Sequence, residues 1–228
     1  MGDIVFNIDV STGAAAVGGL EEADQAGTAR DARGPGRALY CARPGIEMLV
    51  RLPVGADRPD PGILRVNAVY HGSLVEGYGV VSSVRLQGCS IRCTACIVPE
   101  THPFAGGRLL PVWRVADLLM DPAYRRDGVS ILGGEPFDQP DGVAGLVALV
   151  GDRGLPITVY SGYTVETLLR RAMRKPSVRR ILGAIDLLID GPFVKGEADG
   201  AGAYRGSRNQ RLWTRAQLHE ALAGLDRP

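Results

Sequence analysis

From residue 63 onward the chain alternates short apolar runs with amphipathic stretches. Ile63 to Tyr70 and Val80 to Gln87 switch between apolar and polar residues with a period of two, which predicts strands with two unlike faces. Three continuous apolar runs follow, at 128–132, 156–161 and 185–190, and predict strands buried on both sides. Helical spacing fills the intervals. Val112, Val115, Leu118 and Leu119 share one face of a helix over 111–120, and an apolar helix is expected over 142–150. Amphipathic segments at 164–173, 177–184 and 214–225 complete the set. In the first of these, Glu166 stands near the start and Arg170, Arg171 and Arg174 near the end, the order that the helix dipole favours. Strands and helices in this alternation predict an α/β fold around a parallel sheet.

Residues 1–62 do not share the pattern. A strand is expected over 4–10 and another over 47–54. Between them, 11–36 is rich in Ala, Gly, Asp and Arg with little periodicity, and reads as loop or disordered chain. The stretch 57–62 carries Asp, Pro and Gly and reads as a linker. The expected organisation is therefore a mostly irregular N-terminal extension, 1–62, and a core domain, 63–228.

Composition narrows the functional classes. Lys and Arg number 26 and Asp and Glu 25 in 228 residues, a net charge of +1, so no general affinity for nucleic acid is expected. No apolar run reaches the ~18 residues of a membrane span, and the N-terminus lacks a secretory pattern, which points to a cytoplasmic protein without a membrane partner. Lys175 and Lys195 are the only lysines, and Gly (31) and Pro (15) are frequent, so a single Arg or Gly carries little weight as a signal.

The four cysteines carry more. Cys89, Cys93 and Cys96 lie within eight residues, while Cys41 stands apart in the extension and reads as a buried apolar side chain. Three thiols at such spacing in a loop can turn toward one centre, and thiolates suit zinc or an iron–sulfur cluster. A zinc site of three cysteines with His102 competes with a cluster held at three corners and open at the fourth. The cysteines follow a strand, and so do Gly133-Gly134-Glu135, Ser161-Gly162 and Asp190-Gly191. In parallel α/β sheets ligands lie at such C-terminal strand ends.

The cysteine loop with its three- and two-residue gaps resembles that of radical S-adenosylmethionine enzymes. The segment from His71-Gly72-Ser73 through Glu76-Gly77-Tyr78-Gly79 to Gln87-Gly88-Cys89 resembles the activating enzymes of glycyl-radical proteins, above all the activators of anaerobic ribonucleotide reductase. So do Gly133-Gly134-Glu135-Pro136-Phe137, Tyr160-Ser161-Gly162-Tyr163-Thr164, Asp186 to Phe193 and Tyr204 to Arg211. The resemblance implies a partial, open β/α barrel. It implies a 4Fe-4S cluster on Cys89, Cys93 and Cys96, with S-adenosylmethionine on the fourth iron. Gly133, Gly134 and Glu135 would then face the methionine part, Ala95 and Ile97 the adenine, and Ser161 and Asp190 the ribose or methionine carboxylate. The implied reaction is one-electron cleavage of the sulfonium, fed by a flavodoxin- or ferredoxin-type donor. The resulting 5′-deoxyadenosyl radical would take hydrogen from a glycyl-radical protein or a peptide substrate. Ile97-Val98-Pro99 departs from the Asn or His followed by Pro that is common in this group after the last cysteine, and residues 1–62 have no counterpart in its smallest members.

Overall fold

A computed structural model of the chain describes residues 62–225 together with the backbone of two strands, β1 (Ile4–Ile8) and β2 (Ala15–Gly19). The chain divides into two compact units, Met1–Arg37 and Ala38–Pro228. In the first, β1 and β2 pair antiparallel, Ile4 opposite Gly19 and Ile8 opposite Ala15. A strand therefore stands inside the stretch expected as loop, where cross-strand pairing outweighs the weak strand propensity of Ala and Gly. Cys41 and the strand expected over 47–54 lie outside the described residues.

The second unit is built on a seven-stranded sheet. Its strands in chain order are β3 (Ile63–Ser73), β4 (Val81–Leu86), β5 (Arg108–Pro111), β6 (Gly128–Gly133), β7 (Ile157–Ser161), β8 (Leu187–Asp190) and β9 (Arg211–Thr214). Their order across the sheet is β5-β3-β4-β6-β7-β8-β9. The four central strands β4, β6, β7 and β8 run parallel, as expected. The flanks do not. β3 is antiparallel to β4, β5 to β3 and β9 to β8. Among the described residues the sheet is mixed and open at both edges. Sequence reasoning missed β5 and β9, four-residue edge strands whose patterns are too short to register a period.

Helices α1 (Val112–Leu119), α2 (Pro140–Gly151), α3 (Val165–Ala172), α4 (Pro176–Ala184) and α5 (Arg215–Gly224) fall within two residues of the expected bounds. The Thr164 hydroxyl caps α3, and Thr214 with Gln217 forms a capping box on α5. Val84, Leu86, Val129, Ile131, Ile157, Val159 and Leu188 project to the helix side and form one buried core with the inner faces of α1 to α5.

Because side chains alternate along a strand, the other face is set by the residues between these. It carries one row of Ser83, Ser130, Thr158 and Leu187, and a second row of Arg85, Leu132, Tyr160 and Ile189, placed side by side by the strand register. The loop 74–80 packs against this face. The Ser130 hydroxyl donates to the Glu76 carbonyl, and a Cβ on Gly77 would lie 3.0 Å from Thr158 Oγ1 and 3.1 Å from Ser130 Oγ. Under β3 and β4, His71 Nδ1 pairs with Ser82 Oγ at 2.9 Å, and its ring stacks on Tyr124 with centroids 4.0 Å apart.

Candidate metal centre

The cysteine loop leaves the end of β4 and is fastened at both its stems. Gln87 is buried; its amide donates to the carbonyls of Glu100 (2.9 Å) and Pro103 (2.7 Å) and accepts from Asn67 (2.9 Å). Gln139 accepts from the Arg65 N–H (2.7 Å) and donates to the carbonyls of Arg65 and Gln87, both at 3.0 Å. Gly88 and Cys89 donate their N–H groups to the carbonyls of Thr101 (2.8 Å) and His102 (3.1 Å). The buried amide of Gln87 and the half-buried amide of Gln139 thus tie β3, the exit of β4 and the return of the loop into one unit.

Within the loop the chain turns sharply. Arg92 and Ala95 have φ of 50° and 61°, in the left-handed region that L-residues rarely occupy. The strain places Cys93 and Cys96 in one tight turn, with Cys96 N–H donating to the Cys93 carbonyl at 3.2 Å. Backbone N–H groups also point at sulfur. Val98 N–H reaches Cys96 Sγ at 3.4 Å, and the N–H groups of Ile91 and Arg92 pull the Cys89 thiol down. Burial pushes that thiol up more strongly, with Glu135 and Asp138 adding to the rise.

The end of β6 meets this loop backbone to backbone. Gly134 and Glu135 donate to the carbonyls of Leu86 (2.8 Å) and Gly88 (2.9 Å). A Cβ on Gly133, whose φ is 99°, would lie 2.5 Å from Arg85 Cα, and one on Gly134 would lie 2.2 Å from the Gly88 carbonyl oxygen. The absent Cβ atoms are thus required by the close approach of the strand and the loop.

Glu135 then locks the next strand end. Its Oε1 accepts from Phe137 N–H (2.9 Å) and the Ser161 hydroxyl (2.9 Å), and its Oε2 from Gly162 N–H (2.8 Å). Complete burial pushes its carboxyl up to about 7, against the pull of those three donors. Asp138 accepts from Ser90 N–H (2.7 Å), the Ser90 hydroxyl (3.0 Å) and the Tyr163 hydroxyl (3.2 Å). Ile91 covers Gly162 so closely that a Cβ there would lie 2.8 Å from its side chain. The cysteine loop, Gly133-Gly134-Glu135 and Ser161-Gly162 therefore form one hydrogen-bonded assembly.

Asp190 stands apart from it. It is buried and accepts from Val165 N–H at the start of α3 (2.6 Å) and from Arg211 Nε (3.0 Å) and Nη2 (2.5 Å). Strand alternation puts Ser161 and Asp190 on the helix side of the sheet, where protein groups use their hydrogen bonds. Ala95 and Ile97 are exposed on the outer turn of the loop. Asp138 and Gln139, which fasten the loop from the turn just before α2, escaped sequence reasoning, although both follow Gly-Gly-Glu-Pro-Phe directly at the entry of that helix.

Among the described residues no three His, Cys, Asp or Glu side chains converge as a single metal ion requires, and the ring Nε2 of His102 is buried without a partner. Three thiols on one anchored loop, two of them met by backbone N–H groups, fit an iron–sulfur cluster, whose charge such donors stabilise. The family model of the 4Fe-4S single cluster domain matches residues 75–213, which include all of this assembly. The chain belongs to that family. It is a radical S-adenosylmethionine enzyme of oxidoreductase type, and its cofactors are a 4Fe-4S cluster and S-adenosylmethionine.

Relatives of this radical S-adenosylmethionine enzyme include the anaerobic ribonucleoside-triphosphate reductase-activating protein of Pasteurella multocida. It is 30% identical over 154 residues, covering 63% of this chain and 93% of that protein. The pyruvate formate-lyase-activating enzyme of Clostridium pasteurianum is 32% identical over 104 residues, covering 43% of this chain and 44% of that protein. Among solved structures, QueE from Escherichia coli aligns with a TM-score of 0.39 at 20% identity, over 45% of this chain and 53% of that one. No helix among the described residues is long and apolar enough to cross a membrane.

Proposed function

We propose that the protein activates a glycyl-radical enzyme by removing a hydrogen atom from a backbone glycine of its partner. The observation that carries this reading is the match to an activating protein over 93% of that protein's length. When bound, the cluster and S-adenosylmethionine supply a carbon-centred radical through one-electron cleavage of the sulfonium. In this reading Cys89, Cys93 and Cys96 hold the cluster at three irons. The Gly133 to Glu135 strand end borders the methionine part, and Ala95 and Ile97 flank the adenine.

The chain's own residues supply order. Gln87 and Gln139 fix the stems of the cysteine loop. Asp138 fixes Ser90, next to the first cysteine. Glu135 joins the ends of β6 and β7, so the two strand ends move as one. Ser161 and Asp190 act here as positioning residues, Ser161 through Glu135 and Asp190 through α3 and Arg211. A rigid frame of this kind is what hydrogen abstraction requires, since the reacting atoms must meet within ~3–3.5 Å. A flavodoxin- or ferredoxin-type protein would supply the electron.

The test is anaerobic incubation of the reconstituted enzyme with S-adenosylmethionine, a reductant and a candidate glycyl-radical partner. A protein glycyl signal in the electron paramagnetic resonance spectrum is the expected result. Release of 5′-deoxyadenosine that never yields this signal with any such partner would redirect the reading to a peptide or small-metabolite substrate.

A further inference from the structure

The face of the sheet away from the helices holds polar groups that the assembly described above does not use. Arg85, Leu132, Tyr160 and Ile189 form its second row, at the strand ends that lead into the cysteine loop and Gly133-Gly134. Arg85 is partly buried. One of its terminal nitrogens lies 3.4 Å from the Tyr70 hydroxyl, the other 3.9 Å from Glu76, and its guanidinium stacks over the Tyr70 ring at 4.6 Å. Its Nε is buried and has no partner among the described residues. Among the described residues the Tyr160 hydroxyl, two strands away, is also buried and without a partner, and so is the Ser83 hydroxyl in the row below. Buried polar groups are paired in nearly all native structures, so several unpaired ones on one surface mark a place where something else completes them.

We infer that Arg85 and Tyr160 form the floor of the substrate site and donate hydrogen bonds to carbonyl oxygens of an extended glycine-containing segment of the partner protein. This rests on the activating function proposed above. Three features select that chemistry. Arg85 Nε can only donate, so the incoming group must accept. Burial and the nearby Glu76 push the Tyr160 hydroxyl far up, so it stays protonated and can donate as well. Glu76 also offsets the charge of Arg85, which makes the floor a site for neutral carbonyls more than for a carboxylate. Spacing agrees. Strands two apart are separated by about 10 Å, roughly three residues of extended chain and far more than the width of one carboxylate. The loops beside this floor carry Tyr78 and Tyr204, packed edge to face at 5.2 Å, with exposed Leu74 and Val75 alongside. An apolar rim around unpaired donors suits a peptide segment better than a small polar metabolite.

Tyr160→Phe removes one hydroxyl that is unpaired among the described residues. Its melting temperature should match or exceed that of the wild type, because no hydrogen bond is lost. With the partner that gives the glycyl signal, KM for that partner should rise about fivefold, the worth of one neutral hydrogen bond, with a smaller change in kcat. Arg85→Gln should raise KM by more. A lower melting temperature for Tyr160→Phe would show that the hydroxyl is already used within the fold and would overturn the inference. So would a fall in kcat at constant KM, or competitive inhibition by acetate that Arg85→Gln abolishes. These outcomes are separate from failure of the activating function itself, which would appear as absence of the glycyl signal in the unmutated enzyme.

Discussion

The two faces of the parallel strands are built on opposite terms. Toward the helices, Val84, Ile131, Val159 and Leu188 are fully buried in a continuous apolar core. One residue along, the other face shows Ser83 and Arg85 in β4, Ser130 in β6, and Thr158 and Tyr160 in β7, beside the apolar Leu132, Leu187 and Ile189, and among the described residues several of its polar atoms have no partner. The first face holds the sheet to its helices through buried apolar area. The second buries Leu187 and Ile189 as well, but between its apolar residues it keeps hydrogen-bonding capacity in reserve. Stability and function are thus separated by the period-two alternation of a strand, and a single residue step crosses from one to the other.

That separation can be broken at three levels. The largest effect is expected at the loop that both faces lead into. Cys93→Ala should abolish cluster binding, read as loss of the brown colour and of bound iron. The far-ultraviolet circular dichroism spectrum should stay close to that of the wild type, because the core lies on the other face. Unfolding of this variant would show that the loop carries the fold.

Neighbouring residues of β6 give the next contrast. Ile131→Ala should cost about 2–5 kcal/mol in chemical denaturation, the range for deleting a buried aliphatic side chain. Ser130→Ala removes only the hydroxyl that donates to the Glu76 carbonyl and should cost about 1 kcal/mol. Equal costs for the two would erase the distinction between the faces.

The smallest effect concerns the edge of the sheet. Arg211 makes two hydrogen bonds of 2.9 Å to Glu166 at the start of α3, and holds its carboxyl down at about 2. A lowered carboxyl stabilises the fold above its ordinary value near 4.5, and this contribution is lost as pH falls toward 2. The pair is about half exposed, so solvent screening limits it to less than about 1 kcal/mol. Glu166→Gln should therefore lower the melting temperature slightly at pH 7 and leave it unchanged at pH 2.

The sequence made the repeating part of this molecule legible and left its exceptions hidden. The strands β4, β6, β7 and β8 and all five helices follow from hydrophobic period, because each buries a face long enough to show one. β5 and β9 do not follow, since four residues at a sheet edge show no period and their antiparallel direction is set by neighbours. The cysteine loop was visible from spacing alone. The groups that anchor it were less so: Gln87, Asp138 and Gln139 act across 13 to 74 positions of sequence, through contacts that no local pattern records. Gly133 and Gly134 drew attention as a pair of glycines at a strand end, and the atoms that a Cβ on either would meet belong to Arg85 and Gly88. Asp190 drew attention as a polar residue at a strand end, and its side chain is held by Arg211 and Val165.

The most direct measurement is anaerobic reconstitution with iron and sulfide, followed by reduction and addition of S-adenosylmethionine under electron paramagnetic resonance. The expected result is about four irons per chain, a cluster signal that shifts when S-adenosylmethionine is added, and release of methionine and 5′-deoxyadenosine in equal amounts. A colourless protein with one zinc per chain, or a cluster whose signal ignores S-adenosylmethionine, would contradict it.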